Sequence, residues 1–313
     1  MVGVDSALVI AVVGPTAVGK SDLGIALARE YGGEVINADS MQLYRGMDIG
    51  TAKLTVAERA GVPHHLLDVL DVTERAAVSE YQRDARAQIE RLLAAGRVPV
   101  LVGGSGLYLH AVLDEFAFPG TDLQVRGELE AELAEVGPAV LHARLAGVDP
   151  AAAAAILPSN GRRIVRALEV ISLTGEPFAA SLPGHDSRYP GAVRIGLTAE
   201  RPVLDERITR RVDVMWDRGL VDEVRGLVEV GLRDGVTASR ALGYKQVLAL
   251  LSGDCTEEEA REQTVRETKR FARRQESWFR RDPHVHWIDS SSTDLLDQVR
   301  RHVDAAHSPT MAK

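Results

Sequence analysis

Cysteine is almost absent: Cys255 stands alone among 313 residues. An internal disulfide framework is therefore excluded, and the chain fits a reducing cytoplasm. Long apolar runs are missing too, with none near the ~18 residues that a spanning helix needs. Residues 1–6 lack the basic segment of a secretory signal, so neither membrane insertion nor export is expected. There is no internal repeat, and the one low-complexity piece is the alanine run at 151–155. Disorder is not indicated, since 45% apolar and 26% charged residues describe a globular chain. Positive charge is short: the formal net charge of −8 speaks in bulk against a nucleic-acid partner. Bulk charge decides little where basic residues cluster, and here they do.

What is present is organised around Gly14-Pro15-Thr16-Ala17-Val18-Gly19-Lys20-Ser21, which matches G-x-x-x-x-G-K-[ST] at every fixed position. Residues 7–13 (ALVIAVV) before it read as a strand buried on both faces, and residues 22–31 after it as a helix. Glycines let such a loop curl so that successive N–H groups face one concavity. A helix N-terminus, the Lys20 charge and a Ser21 hydroxyl suited to Mg²⁺ complete a polyphosphate site.

Further strands are expected at 34–38, 98–102, 193–197 and 285–288, with helices between them. The fold class is α/β, a P-loop NTPase-like parallel sheet core with a helical insertion domain. Four short helical patterns between about 116 and 189 interrupt the alternation. The domains are thus 1–116 together with 190–313 for the core, and 117–189 for the insertion. Thr256-x-x-Glu259 has capping-box spacing and opens a long helix to about Arg281. Ligands of parallel α/β sheets sit beyond the carboxyl ends of the strands. That rim should hold Asp39, after the second strand, and the glycine cluster Gly103-Gly104-Ser105-Gly106.

Asp39 has three readings from position alone: holding Mg²⁺ through water, acting as a general base, or capping a turn. Arg162 and Arg166 share a helix face, as do Arg207 and Arg211. From Arg266 to Arg281 seven basic residues stand against two acids, interleaved with Phe271, Trp278 and Phe279. Such a stripe suits an RNA backbone with aromatics for stacking, or equally a solvated helix face whose aromatics pack inward. His64-His65, after Pro63, reads as a turn without metal-ligand spacing.

Taken together, these segments resemble the tRNA dimethylallyltransferase (isopentenylpyrophosphate transferase) family. The resemblance rests on GPTAVGKS, on INADSMQLYRGMDIGTAK (36–53), on GVPHHLLD (61–68) and on VLVGGSGLYLHA (100–111). It continues through NGRRIVRALEV (160–170), ERITRRVDVMWDRGLVDEV (206–224) and ALGYKQ (241–246). It implies transfer of a dimethylallyl group from dimethylallyl diphosphate to N6 of the adenine 3′-adjacent to the anticodon, in tRNAs reading codons that start with U. By the resemblance Asp39 is the base. Lys20, Arg211, the loop from Gly14 to Ser21 and Mg²⁺ on Ser21 hold the diphosphate, and Thr16 lies where diphosphate and adenine meet. Asp39, Ser40, Met41, Gln42, Ser105, Arg126, Arg162, Arg163, Ile164, Val165 and Arg166 are the implied tRNA contacts. Ser105 stands where the family often has Thr. No Cys/His finger follows the core, so a bacterial-type cytoplasmic monomer is expected. Other readings are a prenyltransferase of AMP, ADP or ATP, a small-molecule P-loop kinase, and a nucleotide-gated RNA-binding protein without prenyl chemistry.

Overall fold

The computed structural model describes residues 7–115, 118–178, 184 and 186–307. The chain runs β1 (Val9–Val13), α1 (Lys20–Glu30), β2 (Glu34–Asn37), β3 (His64–His65), α2 (Val78–Ala94), β4 (Pro99–Val102) and α3 (Gly106–Leu113). Four helices follow: α4 (Leu123–Val136), α5 (Pro138–Val148), α6 (Pro150–Ala155) and α7 (Gly161–Thr174). The chain then continues through β5 (Ala192–Thr198), α8 (Arg201–Asp217), α9 (Leu220–Glu229), α10 (Tyr244–Leu251), α11 (Glu257–Phe279), β6 (Val285–Asp289) and α12 (Leu295–His307).

Six strands form one parallel sheet in the order β3-β2-β4-β1-β5-β6. β1 lies inside it, and its side chains alternate between two cores. Ile10 and Val12 pack with Leu27, Leu204, Ile208 and Val303 on one face. Val9, Ala11 and Val13 pack with Ile89, Leu92, Leu109 and Val112 on the other. That double burial is why β1 reads as an unbroken apolar run. Each buried Val, Leu or Ile there contributes about 1.5–3 kcal/mol relative to exposure.

The histidine pair is not a turn but the sheet's edge strand. Val35 pairs with His64 and Ile36 with His65, and Glu34 holds the His65 ring at 2.6 Å. Sequence periodicity has no purchase on two residues whose strand character comes from a partner 29 positions away.

By packing, the chain forms two units, one of residues 1–115 with 185–313 and one of residues 116–184. The boundary expected at 117 lies outside the described residues. At the other end the chain has rejoined the larger unit before 189: the Glu115 N–H donates to the Asp186 carbonyl at 2.8 Å, and Tyr189 is buried in the core beside α3. The smaller unit has its own core, with Leu129, Leu141, Leu145, Ile164 and Leu168 at its centre.

The capping box on α11 is formed in both directions. The Thr256 hydroxyl accepts from the Glu259 N–H at 3.2 Å and the Glu259 carboxylate accepts from the Thr256 N–H at 2.8 Å. Thr256→Ala is expected to destabilise the protein by about 1 kcal/mol, seen as a lower urea midpoint at unchanged slope. An unchanged midpoint would mean that tertiary packing alone holds this helix end.

Candidate functional site

The phosphate loop joins β1 to α1 at the carboxyl edge of the sheet. Gly14 (φ 137°) runs against β5 so closely that a Cβ there would lie 2.5 Å from the Leu197 carbonyl oxygen. Ala17 also takes a left-handed conformation, φ 65°, at a cost of about 1–2 kcal/mol for a residue with a side chain. The loop thereby curls ahead of the α1 N-terminus, which opens at Lys20. Lys20 Nζ donates to the Pro15 carbonyl at 2.7 Å and closes the curl.

Asp39 follows β2. The backbone around it is framed by Asn37, a buried amide whose Oδ1 accepts from the Asp39 N–H at 2.9 Å. Asn37 Nδ2 donates to the Asp39 and Leu66 carbonyls. The polar residue ending β2 is thus the frame of the site, not a flaw in the strand. Asp39 Oδ1 accepts from the Met41 N–H at 3.0 Å, and no protein partner is found for the other carboxylate oxygen among the described residues. The Ser105 hydroxyl accepts from the Ser40 N–H at 3.1 Å and ties the second glycine loop to this one.

Thr16, Lys20, Ser21, Asp39, Gln42 and Arg211 line one cavity of about 490 Å³, with Arg207 and Arg210 beside them. Arg211, from α8, donates to the Thr16 hydroxyl at 3.3 Å. The three charges are coupled. Burial lowers the Lys20 pKa to about 7; Asp39 opposes that shift and Arg211 adds to it. Burial raises Asp39 above the ordinary carboxylate range, against the Met41 hydrogen bond, Lys20 and Arg211. Burial lowers Arg211, against Asp22 and Asp39. A carboxyl group with a raised pKa thus faces the same space as the side chains of Lys20 and Arg211.

Among the implied RNA contacts, Asp39, Ser40, Met41, Gln42 and Ser105 lie on these two loops. Arg126, Arg162, Arg163, Ile164, Val165 and Arg166 belong to the smaller unit. There Arg126 and Arg166 converge on Glu169, a carboxylate with no exposure, at 2.5 and 2.8 Å. Arg166 also donates to the Pro119 and Gly120 carbonyls. Ile164 and Val165 are packed in that unit's core, whereas Arg162 and Arg163 are exposed. The aromatics of α11 face inward: Phe279 is buried, Trp278 packs on the larger unit's core and Phe271 lines the cavity. The stripe's outer face is basic without stacking platforms.

Gln275 was not among the residues singled out from the sequence. It reaches from α11 to both loops, accepting from the Thr16 N–H at 2.8 Å and donating to the Gly104 carbonyl at 3.0 Å. The signal was there. Phe271, Gln275 and Phe279 step by four on the helix side that faces the core, so a polar residue interrupts an apolar row.

A parallel sheet with the Gly14–Ser21 loop on its carboxyl edge, and a half-buried carboxylate lining the same cavity, define a P-loop-like α/β protein. A family model described as IPP transferase matches residues 42–282. The tRNA dimethylallyltransferase of Thermobifida fusca is 71% identical over 296 residues, covering 93% of this chain and 92% of that protein. That of Streptomyces coelicolor is 65% identical and covers 97% of each. Among solved structures, the Bacillus halodurans tRNA isopentenylpyrophosphate transferase is 43% identical at a TM-score of 0.71, covering 96% of this chain and 98% of that one. A eukaryotic dimethylallyltransferase acting on tRNA is 27% identical at 0.79, covering 95% of this chain and 78% of that one. The chain belongs to the IPP transferase family.

Proposed function

We propose that this protein transfers the dimethylallyl group of dimethylallyl diphosphate to N6 of the adenine 3′-adjacent to the anticodon of tRNA. The observation that carries the proposal is the placement of Asp39 and the phosphate loop on one cavity. The adenine amine is a poor nucleophile because its lone pair is delocalised into the ring. Asp39 takes one amine proton while N6 bonds to the allylic carbon and the carbon–oxygen bond to diphosphate breaks. The loop N–H groups, Lys20 and Arg211 receive the charge that develops on the leaving diphosphate. An anticodon-loop base is single-stranded, so extruding it costs little. No group of three or more His, Cys, Asp or Glu side chains able to cage a metal occurs among the described residues. The Ser21 hydroxyl lines the cavity, and a single protein hydroxyl fits Mg²⁺, which keeps water and phosphate oxygens among its ligands. Bound there, Mg²⁺ would add charge neutralisation of the diphosphate.

The proposal extends to tRNAs reading codons that begin with U and to action in the cytoplasm. No helix among the described residues is long and apolar enough to cross a membrane. Mass spectrometry of tRNA nucleosides after incubation with protein, Mg²⁺ and dimethylallyl diphosphate tests it. Prenylated adenosine is expected at the anticodon-adjacent position; product on AMP and none on tRNA would replace the reading with mononucleotide prenylation.

Lys20 gives this reading a proton signature. In the free protein Lys20 sits at about 7 because burial disfavours its charge, and a bound diphosphate raises it again. Donor binding at pH 8 should therefore take up close to one proton (about 0.9 if the bound pKa is far above 8), and little at pH 6. Calorimetry in two buffers of different ionisation enthalpy measures this. Zero uptake at pH 8 would mean that Lys20 is already charged in the free enzyme.

A further inference from the structure

Thr16 is held from two directions. Its hydroxyl accepts from Arg211 at 3.3 Å and its N–H donates to Gln275 Oε1 at 2.8 Å. The same Gln275 amide donates through Nε2 to the Gly104 carbonyl at 3.0 Å. The approach needs glycine at 104, because a Cβ there would lie 2.1 Å from Gln275 Nε2 and push it away. Gln275 is buried, at 5% exposure, so neither bond is replaced by bulk water. A carboxamide offers an acceptor and a donor at that separation. The residue following Gly104 is Ser105, whose hydroxyl bonds the Ser40 N–H beside Asp39. One side chain thus joins the loop proposed to take the diphosphate to the loop that is tied to the backbone of Ser40, next to Asp39.

We infer that Gln275 is a positioning residue for prenyl transfer, its amide setting the spacing between the phosphate loop at Thr16 and the Gly104–Ser105 loop that steadies Asp39. The inference rests on the reaction proposed above. Donor held by the loop and amine held near Asp39 must meet within reacting distance, and a misplacement of about 1 Å can cost ~10²-fold in rate. The loss is therefore expected in kcat and not in donor binding.

Three measurements on the full chain test this. In Gln275→Leu both bonds vanish, and kcat should fall about 10–100-fold with the KM for dimethylallyl diphosphate within about threefold of wild type. In Gln275→Glu the acceptor for the Thr16 N–H remains while a carboxylate faces the Gly104 carbonyl and the diphosphate, so here the KM for the donor should rise. Hydrogen exchange over the peptide containing Thr16, read without substrate, should accelerate in the Leu variant and stay slow in the Glu variant. A Leu variant with wild-type kcat per folded molecule, or with wild-type exchange at Thr16, overturns the inference. If the wild-type protein makes no prenylated adenosine, the proposed function fails, and the exchange result still decides whether Gln275 holds the loop.

Discussion

Asp39→Ala should lower the rate of prenyl transfer by about 10²–10⁴-fold, the usual worth of a positioned general base, while dimethylallyl diphosphate still binds. Asp39 is braced through one oxygen by the Met41 N–H and framed by Asn37, so loss of its carboxylate leaves the loop's backbone bonds to Asn37 in place. The donor-binding half of the test needs a chosen pH. Asp39 helps keep Lys20 protonated, so in the variant Lys20 titrates lower still and donor affinity declines from a lower pH than in wild type. Well below the Lys20 transition of either protein the lysine is charged in both, and there the donor Kd should match wild type. Asp39→Asn, with the same shape and no basicity, should lose as much rate. In wild type, burial lifts the carboxyl pKa, so kcat/KM rises with pH as Asp39 ionises. A wild-type rate in either variant would move the base elsewhere in the cavity, or make proton removal late and unassisted.

The phosphate loop was legible because its demands are local: glycine where β5 crowds the backbone, lysine and serine at the first turn of a helix, and a doubly buried strand before them. Strands such as β4 announced themselves in the same way, by apolar runs ended by glycine. Elements that depend on distant partners were not legible. β3 is a strand only because β2 lies beside it. In the smaller unit the resemblance over Asn160–Val170 does not separate surface residues from core residues. The helix phase alone separates exposed Arg162 and Arg163 from buried Ile164 and Val165. Arg166 shares its helix side with Glu169 three residues on, and the two form an ion pair. On α11 the basic residues crowd the outer face, while the amide that bridges the two loops, Gln275, stands on the inner face. Asn37 and Gln275 share a lesson: a polar residue breaking a buried row is the place to look for what holds a site together.

The second large effect is expected at Arg211. Arg211→Ala should cost about 10²–10³-fold in kcat, as for loss of one preorganised donor to a developing oxyanion. Arg211 works beside a lysine that burial discharges in part before the donor arrives, so at neutral pH the guanidinium is the cation already in place in the free protein. Its removal has an opposite effect on its neighbour. Arg211 depresses Lys20, so in the variant Lys20 titrates higher, and donor binding stays proton-neutral to a higher pH. The variant should therefore show a collapsed kcat together with less proton uptake on donor binding at pH 8 than wild type. Arg211→Lys keeps the charge without the planar fork that reaches the Thr16 hydroxyl, and should recover only part of the rate. Added guanidinium ion should restore more activity to Arg211→Ala than to Asp39→Ala, since it supplies the missing cation and not a base. A variant that keeps kcat but loses donor affinity at every pH would assign Arg211 to ground-state binding and leave the leaving-group charge to the loop and Lys20 alone.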